Sequence, residues 1–217
     1  MPSFEAKLAG QTTIRLNKEQ KRCLAHTDGP ALTLAVPGSG KTTMLLCRTL
    51  YLIEEHQVDP KKILTLSFTK ASAKDMLTRY REEFGAFSGY DLVFSTFHRF
   101  CYGLLRKYYG KHTLIEGGGP IKKTQVLIDL YKRINGDVIS EDQLEELMSV
   151  IGYHHNAMIP VERIDTQIKQ VDRLVQSYRE IKRDNRWIDF DDMLLFTHSL
   201  LTNRPEITRQ LSERYHY

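Results

Sequence analysis

Long apolar runs are missing from this sequence. Nowhere do about eighteen apolar residues stand together, which excludes an ordinary transmembrane helix, and no membrane partner is expected. The opening stretch MPSFEAKLAGQTTIRLNKEQ contains no apolar segment of the secretory kind. Cysteine is scarce: Cys23, Cys47 and Cys101 stand 24 and 54 positions apart, which gives neither a disulfide framework nor a CxxC metal site. Such usage suits a reducing compartment, and a cytoplasmic protein is expected. Charge of one sign is not in large excess either. The net charge is +4, and with 41% hydrophobic and 27% charged residues wholesale disorder is not expected.

The 217 residues are enough for one large domain, or one domain carrying a sizeable insertion. The positive surplus lies in the first half, where residues 1–108 hold 16 Lys/Arg against 10 Asp/Glu. Residues 109–186 are balanced at 12 of each, and residues 187–217 hold 3 against 5. A polyanion would therefore be met by the first half, although a surplus of this size permits nucleic-acid binding without demonstrating it.

The first half alternates apolar runs with helical patterns, as a parallel sheet with crossover helices requires. Ala31–Val36 reads as a buried strand followed by a helix over about Thr42–Glu55. Lys62–Phe68 reads as a second strand with a helix at about Ala71–Phe84, and Asp91–Ser95 as a third leading into a helix at about His98–Tyr109. The Gly117-Gly118-Gly119-Pro120 run then breaks the pattern. Ser140 and Gln143 form a capping box ahead of an apolar series, with Gly152 placed to end that helix. Pro160 should open a long helix whose stripe is Ile164, Ile168, Val171, Leu174, Val175, Tyr178 and Ile181. Three regions follow: 1–108 as the first part of an α/β core, 109–186 as a helical insertion, and 187–217 as the return to the core.

Ala35-Val36-Pro37-Gly38-Ser39-Gly40-Lys41-Thr42 lies between an apolar run and a helical pattern, the setting in which GxxxxGK[ST] carries meaning, although Ala35 replaces the first glycine. In such a loop the glycines let backbone N–H groups turn toward phosphate oxygens, and the helix N-terminus adds partial positive charge. Lys41 would reach the β- and γ-phosphates, with the Thr42 hydroxyl placed to ligate Mg²⁺. Pro37, Gly38, Ser39, Gly40 and Thr43 complete the candidate phosphate site. Asn17 and Gln20 read locally as a capping box. Phe68 and Phe97 are aromatics beside hydroxyl and basic donors, as single-stranded nucleic acid requires, and equally a pattern of core aromatics and caps.

Taken together, these segments resemble the N-terminal part of a superfamily 1 DNA helicase of the UvrD/Rep/PcrA type. LNKEQ is similar to the family's adenine-reading Q-motif, AVPGSGKTT to its motif I, ILTLSFTKASAKDM to its motif Ia and VFSTFHRFCYGLLRKY to its TFH motif. Ile188-Asp189-Phe190-Asp191-Asp192-Met193-Leu194 resembles the acidic segment that re-enters the first motor domain. The resemblance implies a RecA-like parallel sheet core with an inserted all-helical subdomain, and ATP and Mg²⁺ as cofactors. It implies Gln20 at the adenine, and Phe68, Thr69, Lys70, Thr96, Phe97 and His98 along single-stranded or partly duplex DNA. Thr43 stands where many relatives have Arg, and Lys70-Ala71 where many have Asn-Lys. The activity implied is ATP-driven unwinding of 3′-to-5′ polarity in repair, replication or recombination, with proteins of those processes as partners.

No apolar strand ending in a DExx pattern occurs, nor a second motor domain, so the sequence reads as a fragment that would not hydrolyse ATP alone. The missing C-terminal motor domain would act in cis. Three alternatives stand beside this: a helicase subunit of a RecB/AddA-like helicase–nuclease, a P-loop nucleotide-binding module not acting on DNA, and a DNA-binding scaffold whose ATP site is inert. The acidic run Asp189, Asp191, Asp192 is expected to serve a helix N-terminus rather than a metal. His154-His155 is expected in a surface turn, and Trp187 as a packing anchor.

Overall fold

Helices dominate wherever the 3.6-residue apolar period is sustained, and the strands among the described residues are short runs of two to four residues. A computed structural model describes residues 3–87, 89–116 and 121–217. The Gly117–Pro120 breaker lies outside the described residues. The chain forms two compact units. One comprises the residues up to Phe97 together with Thr208–Tyr217, and the other comprises His98–Ile207.

The first unit contains helices α1 (Phe4–Gln11), α2 (Lys18–Ala25), α3 (Lys41–His56) and α4 (Lys70–Glu83), with strands β1 (Leu64–Ser67) and β2 (Val93–Thr96). The two strands are parallel, in the register Leu64↔Val93 through Ser67↔Thr96, and α4 is the crossover between them. Both strands therefore finish at one edge, with Ser67 beside Thr96. The core is built on α3, where Leu46, Cys47 and Leu50 meet Phe4 and Leu8 of α1, Leu24 of α2 and Tyr80 of α4. Burial lifts the Cys47 thiol to about 12, with Glu83 adding to the shift, so this cysteine behaves as an apolar core residue. The last residues of the chain lie beside β1, where His216 N–H donates to the Lys62 carbonyl at 2.9 Å and Leu64 N–H donates to the Tyr217 carbonyl at 2.9 Å.

The expected strand at Ala31–Val36 is not formed. The run lies outside any sheet among the described residues, with Leu32 84% and Leu34 85% exposed. Apolar character gives a tendency to form a strand, but a strand exists only through a hydrogen-bonded neighbour, and neither β1 nor β2 pairs with this run.

The second unit runs from α5 (Phe97–Tyr109, beginning one residue before the division) through strand β3 (Thr113–Leu114) to helices α6 (Lys123–Asn135), α7 (Glu141–Ala157) and α8 (Val171–Asp184). Strand β4 (Trp187–Ile188), helix α9 (Phe190–Asn203) and the start of α10 (Pro205–Arg214) complete it. β3 and β4 are parallel, which brings the two ends of the α6–α8 block together. Leu127 and Leu130 of α6, Leu147 and Ile151 of α7, and Leu174 and Tyr178 of α8 form its largest core, with Trp187 packed against it. A smaller cluster joins Cys101 and Leu105 of α5 to Ile188 and Met193.

Three local expectations change here. The helix expected from Pro160 begins only at Val171, after a single 3₁₀ turn at Val161–Arg163. Glu146 of α7 holds the intervening chain non-helical, accepting from the Thr166 hydroxyl at 2.6 Å and the Gln167 N–H at 3.0 Å. The apolar stripe is buried all the same: Ile168 through Tyr178 lie in the core and Ile164 and Ile181 pack against it. Gly152 does not end α7, which continues five residues to Ala157. His154-His155 is therefore no surface turn. Both rings lie in the last turn of α7, and His155 is buried with its Nδ1 2.8 Å from the Ile151 carbonyl.

Candidate functional site

The phosphate loop owes its shape to two glycines. Gly38 and Gly40 both have φ of +79°, a region costly for any residue with a Cβ, and nothing else in the loop would turn the chain so tightly. Gly40 is the N-cap of α3 and supplies no side chain to its first turn, so those N–H groups have no capping side chain. Lys41 is the first residue of the helix, and its Nζ donates to the carbonyls of Val36 at 2.9 Å and Ala35 at 3.3 Å. Ser39 Oγ donates to Val36 O at 2.7 Å, folding the loop upon itself. Thr42 and Thr43 follow in the first turn, both half-buried. A helix N-terminus without a capping side chain, with an ammonium beside it, is complementary to a polyphosphate, and a hydroxyl in the first helical turn suits Mg²⁺ ligation.

Gln20 stands across from this loop. The capping box of α2 is complete: Gln20 N–H donates to Asn17 Oδ1 at 2.8 Å, and Asn17 N–H donates to Gln20 Oε1 at 2.9 Å. The amide nitrogen of the same side chain donates to the Ser39 carbonyl at 3.4 Å, so the capping residue also touches the phosphate loop. Between α2, the first turns of α3 and the extended run 29–36 lies a cleft of about 1250 Å³. Gln20, Cys23, Ser39 and Lys41 line it, and so do Arg22 and Arg48, which the sequence did not single out. A signal for Arg48 existed: it lies seven residues after Lys41, hence on the same helix face.

The candidate nucleic-acid residues fall at the ends of the two paired strands. Phe68, Thr69 and Lys70 follow β1, and Thr96 closes β2 with Phe97 next. Phe68 is 77% and Phe97 46% exposed, so neither is a core aromatic. Thr96 is buried. The Thr69 hydroxyl caps α4 by accepting from Ser72 N–H at 3.0 Å, and Ser67 Oγ donates to the Thr69 carbonyl at 2.9 Å. His98 belongs to the second unit, where its ring lies 5.3 Å from that of Phe190.

The acidic segment is organised by lysines that the sequence reading passed over. Asp189 caps α9 and forms a reciprocal capping box with Asp192. Lys182 of α8 is buried between them, its Nζ 2.8 Å from Asp189 Oδ2 and 2.6 Å from Asp192 Oδ2. Tyr178 Oη donates to Asp189 at 2.8 Å, and Lys123 reaches Asp191 at 3.1 Å and Glu116 at 3.2 Å. Burial opposes the charge on Asp189, but Lys182 and Lys123 outweigh it and hold that carboxyl below the usual range. Burial and the neighbouring Asp189 charge push Asp192 up to about 6, against the pull of Lys182. These carboxylates are spent on a structural charge network.

The fold defines a helix-rich α/β class with short parallel strand pairs, and the loop is a glycine turn that opens a helix. The chain belongs to the UvrD/REP helicase N-terminal domain family, whose pattern matches residues 16–217. It is 31% identical over 218 residues to YjcD of Bacillus subtilis, a protein named for an ATP-dependent DNA helicase, covering 94% of this chain and 28% of that protein. It is 27% identical over 212 residues to the ATP-dependent DNA helicase PcrA of Staphylococcus aureus, covering 93% of this chain and 28% of PcrA. A DNA helicase II homolog of Mycoplasma genitalium is 29% identical over 217 residues, 93% of this chain and 31% of that protein. The chain thus spans less than a third of the length of these curated relatives. Helix α1 lies ahead of the residues that the family pattern matches.

Proposed function

We propose that this chain is the ATP- and DNA-binding N-terminal portion of a DNA helicase that translocates 3′ to 5′ on single-stranded or partly duplex DNA. Lys41 holds the β/γ-phosphates, Thr42 is the protein's ligand to Mg²⁺, and Pro37, Gly38, Ser39, Gly40 and Thr43 form the rest of the phosphate cradle. Gln20 reads the adenine edge, where its amide offers both a donor and an acceptor. Phe68, Thr69, Lys70, Thr96, Phe97 and His98 contact DNA, the exposed phenyl rings by stacking on bases. In the RecA-like arrangement this implies, residues 1–108 and 187–217 belong to the motor domain and 109–186 to a helical insertion. The run 31–36 becomes a sheet strand there, beside strands from elsewhere in the longer protein. Hydrolysis requires a carboxylate pair for Mg²⁺ and the attacking water, together with a second motor domain, so these 217 residues bind nucleotide without turning it over.

The observation that carries this reading is the loop itself: two glycines at positive φ, an ammonium at the first helical position, and a helix N-terminus with no capping side chain. Mg²⁺ bound here would neutralise charge between the β- and γ-phosphates. Lys41→Ala in the full-length protein is expected to abolish Mg-ATP binding at millimolar nucleotide, followed by fluorescence of a labelled analogue, and to abolish DNA-stimulated hydrolysis. Retention of both activities would return the loop to a Gly-rich turn that binds nothing.

A further inference from the structure

Helix α2 is a short rod with little packing of its own. It has eight residues, about 12 Å at 1.5 Å per residue, and Leu24 is its one buried side chain. Yet it carries Gln20, the residue assigned to the base. Something other than apolar burial must fix its position against the phosphate loop.

Besides an exposed ion pair of Lys21 with Glu5 of α1, two polar attachments tie it to the loop and to α3. At the N-terminal end, Gln20 Nε2 donates to Ser39 O at 3.4 Å, a long bond made by the very group that would turn to the base. At the C-terminal end, Arg48 of α3 donates through Nη1 to the carbonyls of Cys23 at 2.8 Å and Leu24 at 3.4 Å, and to that of His26 as well. These are carbonyls of the last turn and the cap of α2, the groups a helix leaves without internal partners. A guanidinium there satisfies them and complements the negative end of the helix. Arg48 lies two turns beyond Lys41 on the same helix. One rigid element therefore carries the phosphate-binding ammonium at its start and grips the base-reading helix farther along.

We propose that Arg48 is a positioning residue for base recognition: it sets the distance between Gln20 and the phosphate loop, and touches neither base nor phosphate itself. This rests on the nucleotide-binding reading above. The polyphosphate half of a nucleotide needs only α3 and its loop, and so is independent of the grip. The adenine half needs α2 held in place. Loss of Arg48 should consequently separate the two halves.

The experiment uses the full-length protein with fluorescent Mg-ATP and Mg-GTP analogues, and Mg-tripolyphosphate as competitor. Arg48→Met removes the donors and keeps an apolar stem. It is expected to weaken ATP by about tenfold while GTP and tripolyphosphate change by less than about twofold, because hydrogen bonds from a charged group are lost on the base side alone. Combining it with Gln20→Ala should add nothing further, since both act through one contact. Arg48→Lys, which keeps the charge and loses the fork, should recover part of the preference. Equal losses for all three ligands, an unchanged ATP-over-GTP preference, or additive losses in the double variant would overturn the proposal. If Arg48→Met does not fold, Arg48→Lys carries the comparison, with an intermediate loss of preference expected and a wild-type preference counting against. Lys41→Ala separates the underlying reading. If tripolyphosphate binding survives that substitution, the phosphate site is wrong and this inference falls with it. If Lys41→Ala abolishes binding and Arg48→Met leaves the preference intact, only the inference falls.

Discussion

Two side chains illustrate how residue type and surroundings divide the labour. Phe68 follows β1 and is 77% exposed, which leaves its ring open to a flat partner. Its use is expected in stacking: Phe68→Ala should weaken single-stranded DNA binding by ~1–3 kcal/mol, with little sequence dependence and a steep response to salt in the wild-type protein and the variant alike. Titration of labelled oligonucleotide at two salt concentrations measures this, and an unchanged affinity would remove Phe68 from the track. Lys182 is the opposite case, a charge almost wholly withdrawn from water because two carboxylates meet it. Lys182→Met would leave Asp189 and Asp192 facing each other in the interior. A loss of ~3–5 kcal/mol in denaturant unfolding is expected, followed through Trp187, the sole tryptophan of the chain and a neighbour of that core.

At the scale of elements, the contact between α7, α8 and α9 is governed by titration as well as by packing. His155 at the end of α7 is buried, and burial, with Lys182 nearby, lowers its pKa from 6.5. The unfolded chain then takes up that proton first, so this residue's contribution is lost as pH falls below 6.5. Asp192 works in the other direction. Raised to about 6 from 3.8, it binds a proton in the folded state first, so its contribution grows as pH falls from 6 and is complete below 3.8. Asp189, held below 3.8, adds a loss only under stronger acid. The melting temperature of this unit, read from Trp187 fluorescence, is expected to change little between neutral pH and about 4 and to drop below that. Two variants separate the opposing parts. His155→Gln should rise in melting temperature on acidification across the same window, and Asp192→Asn should fall. Identical pH profiles for both would show that neither group titrates as its surroundings require.

At the scale of the molecule, the exposed run 31–36 is the feature that the fold leaves unresolved. Leu32 and Leu34 carry strand-forming character into solvent, and the phosphate loop hangs from the end of that run. If the chain is part of a longer protein, as proposed above, and that protein supplies the neighbouring strands, these amides gain ladder hydrogen bonds there. Hydrogen exchange is expected to be fast at residues 32–36 in the 217-residue chain and slowed by at least about a hundredfold in the full-length protein, a difference of about 2.7 kcal/mol or more in local opening free energy. Fast exchange in both would mean that the run is a loop by nature and that the sheet of this family is completed without it.

Local features of the chain were legible because their causes are local. The capping boxes at Asn17/Gln20 and Ser140/Gln143 involve three-residue spacings, and both exist as the spacing requires. The helix after the phosphate loop, the strand–helix–strand of β1, α4 and β2, and the stripe of α8 follow from periodicity, and the order of the motifs carries the family resemblance. What sequence could not supply depended on groups far apart in the chain. Glu146 stops the helix that Pro160 seemed to open, because its carboxylate satisfies main- and side-chain donors twenty residues on. Lys182 and Lys123 reach the acidic run from two other helices, 7 and 68 residues away. Arg48 finds the end of α2 across a gap of 22 to 25 residues. The run at 31–36 has the composition of a buried strand and lacks the neighbour that would make it one. Propensity, capping and motif spacing act within a few residues and can be read along the chain, whereas burial, charge pairing and strand pairing are decided by which distant groups folding brings together.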